Sequence, residues 1–257
     1  MKKRFNIITA IIVSLFILSC EKNAVQQIDY TPAGAFIRAY NFAVSGPTVN
    51  IYANDKKMTA IGSTTGIEAA AGISAYGVFP TTNSYLNLTT VGDVVFKAKV
   101  SSTATTNANI ETTVLPTNVV AGKYYSFYTS GIYDATAKTT SSFILEDNFP
   151  SIDTAVSYVR LVNTISNAAN GFNLVAVNTT TAEVINIAAA TAYKAGSAFV
   201  KVPNGVYNLT AVSVNTPANI TITRAAVSFS KGLVYTIAAR GSTTTTSTLA
   251  LDLTRNR

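Results

Sequence analysis

"FIRAYN" at residues 36–41 returns as "YVRLVN" at residues 158–163. Each line runs two apolar or aromatic residues, an arginine, two more apolar or aromatic residues and an asparagine. Arg38 and Arg160, and likewise Asn41 and Asn163, lie 122 positions apart. Three further blocks follow in the same order. "VFPTTNSYLNLT" (78–89) answers "VKVPNGVYNLT" (200–210), pairing Pro80 with Pro203 and Tyr85 with Tyr207. "VVAGKYYSFYTSG" (119–131) answers "SFSKGLVYTIAARG" (228–241), pairing Gly122 with Gly232, Tyr125 with Tyr235 and Gly131 with Gly241. "FILED" (143–147) answers "LALD" (249–252). A period this long exceeds a solenoid unit and fits two complete domains in tandem. The expected domains span residues 34–150 and 151–257, divided near "NFPSIDT" (148–154), where a proline and polar residues interrupt two strand-like runs.

Inside each copy the strand signals are short and turn-bounded. "TVNIYAND" sends Val49, Ile51 and Ala53 to one face and Asn50, Tyr52 and Asn54 to the other, the period of a strand with one wet side. "FNLVAV" (172–177) holds the matching place in the second copy, and "ITITRAAVSF" (220–229) supplies another strand. About seven such segments in roughly 110 residues predict an immunoglobulin-like β-sandwich, so the expected fold is all-β with two tandem sandwiches. A glycine turn followed by an early tyrosine, in "AGKYYSF" and "KGLVYTI", is the setting of a tyrosine corner; Tyr125 and Tyr235 are the expected corner residues. Arg38 and Arg160 are expected on the solvent face of each domain's first strand, paired with Glu146, Asp147 or Asp252.

Composition agrees with this class. Of 257 residues, 48% are hydrophobic and 12% charged, and the 13 Tyr and 12 Phe suit half-buried pleated surfaces. Without Lys2, Lys3 and Arg4 the 19 basic residues fall to 16 against 12 acidic, a net charge of +4. The remaining cations are scattered, which argues against a nucleic-acid partner.

The N-terminal "MKKRFNIITAIIVSLFILSC" joins three cations to an apolar run too short to span a bilayer comfortably. It ends in Ile17-Leu18-Ser19-Cys20, which resembles a bacterial lipobox. That resemblance implies a signal peptide over residues 1–19, a lipidated tether over 20–33, and acyl chains on Cys20 that hold the protein to a membrane. The expected location is the envelope of a Gram-negative bacterium, at the outer membrane. Cys20 is the only cysteine, as suits an exported chain.

The sequence offers little chemistry. It contains no histidine, so the usual general base and the Ser-His-Asp and Cys-His arrangements are missing, and "GISAYG" (72–77) has the wrong spacing for a nucleophile elbow. Zinc and transition-metal sites lack ligands. Glu146, Asp147 and Asp153 flank the domain junction, but their spacing matches no calcium loop. No metal and no cofactor is expected. In "YYSFY" (124–128), alternation turns Tyr125 and Phe127 inward and leaves Tyr124 and Tyr128 as the candidate ligand platform, suited to stacking on sugars. "DTA" (153–155) resembles a short O-glycan acceptor.

Taken in order, the apolar-apolar-Arg-x-x-Asn strand, the "VNIYAN" strand, the Pro-to-Tyr-to-Leu block, the Gly-x-x-Tyr strand and the last strand resemble the immunoglobulin-like repeats called domain of unknown function 4397. The likeness runs from about residue 35 to 253 and implies tandem sandwiches in an exported bacterial lipoprotein. Its motifs are structural. The expected function is a non-catalytic interaction or structural module with an envelope protein or glycan as partner. The alternatives are a carbohydrate-binding accessory protein and a hydrolase working through carboxylates alone.

Overall fold

The computed structural model describes residues 34–59, 72–168, 170–214 and 220–257. The expected signal segment, Cys20 and the tether lie outside the described residues. The first half contributes β1 (Ala35–Asn41), β2 (Val49–Ala53), β3 (Lys56–Lys57), β4 (Val78–Phe79), β5 (Leu86–Leu88), β6 (Gly92–Val100), β7 (Glu111–Val119), β8 (Tyr124–Asp134) and β9 (Thr139–Glu146). The second contributes β10 (Val156–Asn163), β11 (Phe172–Asn178), β12 (Val184–Thr191), β13 (Val200–Pro203), β14 (Gly205–Ser213), β15 (Thr221–Phe229), β16 (Val234–Ser242) and β17 (Thr245–Arg255).

Each half folds as a two-sheet sandwich. The first pairs a β4-β1-β8-β9 sheet, with β5 also bonded to β1, and a β3-β2-β6-β7 sheet; the second pairs β13-β10-β16-β17 with β12-β11-β14-β15. The duplicated arginine strands, β1 and β10, run parallel to β8 and β16, with Arg38 beside Ser126 and Arg160 beside Thr236. The period-two pattern supplies both cores. Ile37, Ile51, Phe96 and Phe127 are fully buried in the first, and Leu161, Phe172, Leu174 and Leu209 in the second. Each such side chain contributes about 1.5–3 kcal/mol through burial.

The tyrosine corners are alike in the two halves. Tyr125 Oη accepts from the Val120 N–H at 3.1 Å, and Tyr235 Oη from the Ser230 N–H at 3.2 Å, each reaching back five residues. The preceding Gly122 and Gly232 both hold φ of +78°, a left-handed turn that favours glycine over any residue with a Cβ.

Three sequence expectations need correction. Strand pairing shows that the second repeat block was matched out of place. Tyr85 immediately precedes β5, which bonds to β1, whereas Tyr207 lies in β14, in the other sheet of its sandwich. Leu88 faces Ala35 as Val202 faces Ser157, so the counterpart of Tyr85 is Phe199. The last block shifts too. Tyr125 faces Glu146 and Tyr235 faces Arg255, which makes Asn256, not Asp252, the counterpart of Asp147. Finally, Asn50 is buried rather than wet, because Thr59 folds over it and donates to its Oδ1 at 3.0 Å.

Candidate functional site

The alternation of β1, β8, β10 and β16 leaves a second face on each inner sheet, and these two faces meet. Tyr40, Phe42, Tyr128 and Phe143 of the first sandwich pack with Val162 and Ala238 of the second in an apolar cluster separate from both cores. The expected open face of "YYSFY" is therefore covered by the other half of the same chain. Tyr128 is fully buried, stacked 4.4 Å from Tyr40 and 4.9 Å from Phe143, and cannot form an exposed platform. Tyr124 is half-buried at the rim, its ring stacked 4.7 Å from Phe36.

Polar groups cross this seam in a reciprocal pattern. Arg160 is buried beside Phe199, donates its Nε to Thr236 Oγ1 at 3.0 Å, and pairs through Nη2 with Asp147 of the first sandwich. Arg38 is buried beside Tyr85 and donates Nη1 across the seam to the Arg255 carbonyl at 2.8 Å and Nη2 to the Thr82 carbonyl at 2.9 Å. Tyr85 joins the two halves. Its hydroxyl donates to Asp147 Oδ2 at 2.9 Å and accepts from Asn256 Nδ2 at 2.8 Å. Ser126 donates to Asp147 as Thr236 does to Asn256, at 2.7 and 2.8 Å. Equivalent positions thus face each other across the seam but bond differently: Arg160 pairs with a carboxylate, whereas Arg38 donates to backbone carbonyls and its Nε is buried without a partner.

The solvent-face expectation for Arg38 and Arg160 is therefore wrong. Both are 2–3% exposed, because the face that alternation sends away from one core is covered by the other sandwich. Asp147 pairs with Arg160, but across the seam and buried rather than within one domain on its solvent face, and Asp252 pairs with Arg240. Burial works against the charge on Arg160, but the Asp147 carboxylate together with Tyr128 and Tyr85 outweighs it, so the guanidinium pKa is raised. Removing one partner of such a pair strands a buried charge and costs about 3–5 kcal/mol.

The acids considered for a cation are engaged otherwise: Glu146 binds Lys123 at 2.7 Å, Asp153 binds Lys201 at 3.2 Å, and Asp147 belongs to the seam. Sequence reasoning missed Tyr85, Phe199 and Asn256. Spacing does not recover them, since Tyr85 follows Arg38 by 47 residues and Phe199 follows Arg160 by 39; only strand pairing shows the equivalence.

No protein-family model and no curated protein sequence matches this chain. Among solved structures, a candidate cell adhesion protein from Bacteroides fragilis NCTC 9343 aligns at 10% identity and TM-score 0.23, covering 86% of this chain and 98% of its own. A second candidate cell adhesion protein, from Bacteroides ovatus ATCC 8483, aligns at 12% identity and TM-score 0.20, covering 88% and 97%.

Proposed function

We propose that this chain is a non-catalytic interaction module of the bacterial cell envelope, anchored through lipid on Cys20 at the outer membrane of a Gram-negative cell. In this reading the two sandwiches are repeats of the kind called domain of unknown function 4397. The observation that carries the proposal is the seam. Burying two arginines, an aspartate and two tyrosines between sandwiches gives a fixed double body. Fixed orientation serves the display of surface loops to a partner, and loops are where a sandwich scaffold carries binding. The test is palmitate labelling and membrane fractionation of producing cells, wild type against Cys20→Ser, with cross-linkers placed in the exposed 103–109 loop. The proposal expects labelled, membrane-bound protein captured with an envelope partner, and unlabelled, released protein from the variant. Absence of label in the wild type would remove the anchor, and turnover of a polysaccharide or peptide by the purified chain would remove the non-catalytic assignment.

A further inference from the structure

The seam ends at the surface in a cavity of about 280 Å³, at the first residues of β1 and β8. Its aromatic walls come from the first sandwich and the connection. Phe36 and Tyr124 stack, Tyr85 stands edge-on to Tyr124 at 5.1 Å and 83°, and Phe149 leans on Tyr124 at 5.2 Å and 57°. The rings make a corner, not a flat platform. Asn83 and Ser84 line one side of the cavity, and Asn256 and Arg257 bring in the end of the second sandwich.

Arg257 sets the charge. Its guanidinium lies 5.5 Å over the Phe149 ring and donates Nη2 to the Pro150 carbonyl at 2.8 Å. No side-chain carboxylate among the described residues pairs with it, since the acids nearby are held by Arg160 and Lys123. The cavity therefore combines an aromatic corner, amide and hydroxyl groups, and one cation with free donors. That set complements a sugar ring carrying a carboxylate: C–H face against the rings, hydroxyls to the amides, and carboxylate on the guanidinium fork. We infer that the seam cavity binds a hexuronate residue of an acidic glycan. The volume falls just below the usual range of ligand pockets, about 300 to 1,000 Å³, and so admits one ring with the glycan leaving through the open side. Because its walls come from both sandwiches, the site exists only while the seam is closed. The inference rests on the interaction-module reading and names a ligand class for it.

The test is calorimetric titration, supported by saturation-transfer NMR, of the full chain with a tetraglucuronate and with a neutral tetraglucose of the same linkage. Arg257→Gln removes the proposed contact, and Lys231→Gln removes an exposed cation outside the cavity. The expected result is saturable binding of the acidic oligosaccharide, at least about ten-fold stronger than of the neutral one. Arg257→Gln should weaken it by about ten-fold or more, the scale of one charged hydrogen bond, and Lys231→Gln should leave it unchanged. Arg257→Lys should fall between them if charge and fork geometry both contribute. No saturable binding, equal binding of the neutral sugar, or binding indifferent to Arg257→Gln would each overturn the inference. Such a failure would leave the module reading intact, because labelling and partner capture test that separately.

Discussion

Tyr40, Tyr85 and Tyr128 sit where a hydroxyl is costly to ionise. Burial raises the pKa of all three above the usual value near 10, and the Asp147 charge pushes Tyr85 further the same way. No hydrogen-bond partner among the described residues reaches the hydroxyls of Tyr40 and Tyr128, and the nearby Thr254 and Ser126 hydroxyls offset the burial only in part. In the unfolded chain these tyrosines ionise near pH 10, while the folded chain keeps their protons. The stability they confer is thus full below about pH 10 and is lost above it. The expected slope is about 1.4 kcal/mol per pH unit for each tyrosine. Urea-unfolding midpoints from pH 8 to 11.5 check this. The wild type should fall steeply above pH 10 and Tyr40→Phe/Tyr128→Phe less so; a flat wild-type profile would contradict the assignment.

At the scale of single strands, much was legible in the sequence. The period-two runs located β2, β11 and β15, and alternation in "YYSFY" divided the strand into its two faces. What covers the outer face was not legible, because alternation states direction and not neighbour. Tyr128 and the arginines were misjudged for that one reason. Register was lost where composition imitated alignment: Tyr85 and Tyr207 share a Pro-to-Tyr context but belong to strands of different sheets. The Gly-x-x-Tyr signal fared better because local chain geometry produces it, with a left-handed glycine and a hydroxyl reaching back five residues. Tyr125→Phe and Tyr235→Phe each delete one bond to a backbone N–H. Each should lower stability by about 1 kcal/mol, read from denaturant midpoints at constant m-value. A loss much larger in one variant than the other would show that the two corners are not equivalent.

For the molecule as a whole, duplication explains the composition of the seam. Each repeat carries an arginine on its first strand and a polar residue just beyond its last, and the two copies turn those positions toward each other. Asp147 and Asn256 occupy equivalent places around Tyr85, and the one carboxylate among them pairs with Arg160. The chain thus resembles a symmetric dimer written as one polypeptide, whose interface has diverged without opening. A tandem repeat in sequence does not reveal this, since beads on a flexible string and a locked pair share the same motif order. The deciding contacts are those between residues far apart in the chain, such as Arg38 with Arg255.

The most direct test of that claim is the distance between the two sandwiches in solution. Nitroxides on Val114→Cys in β7 and Thr223→Cys in β15, in a Cys20→Ser background, report it by double electron–electron resonance; both positions are exposed and lie in sheets away from the seam. A locked seam predicts a single narrow distance distribution. A broad or two-peaked distribution would mean that the sandwiches move independently, and would contradict the account of the seam as a permanent interface.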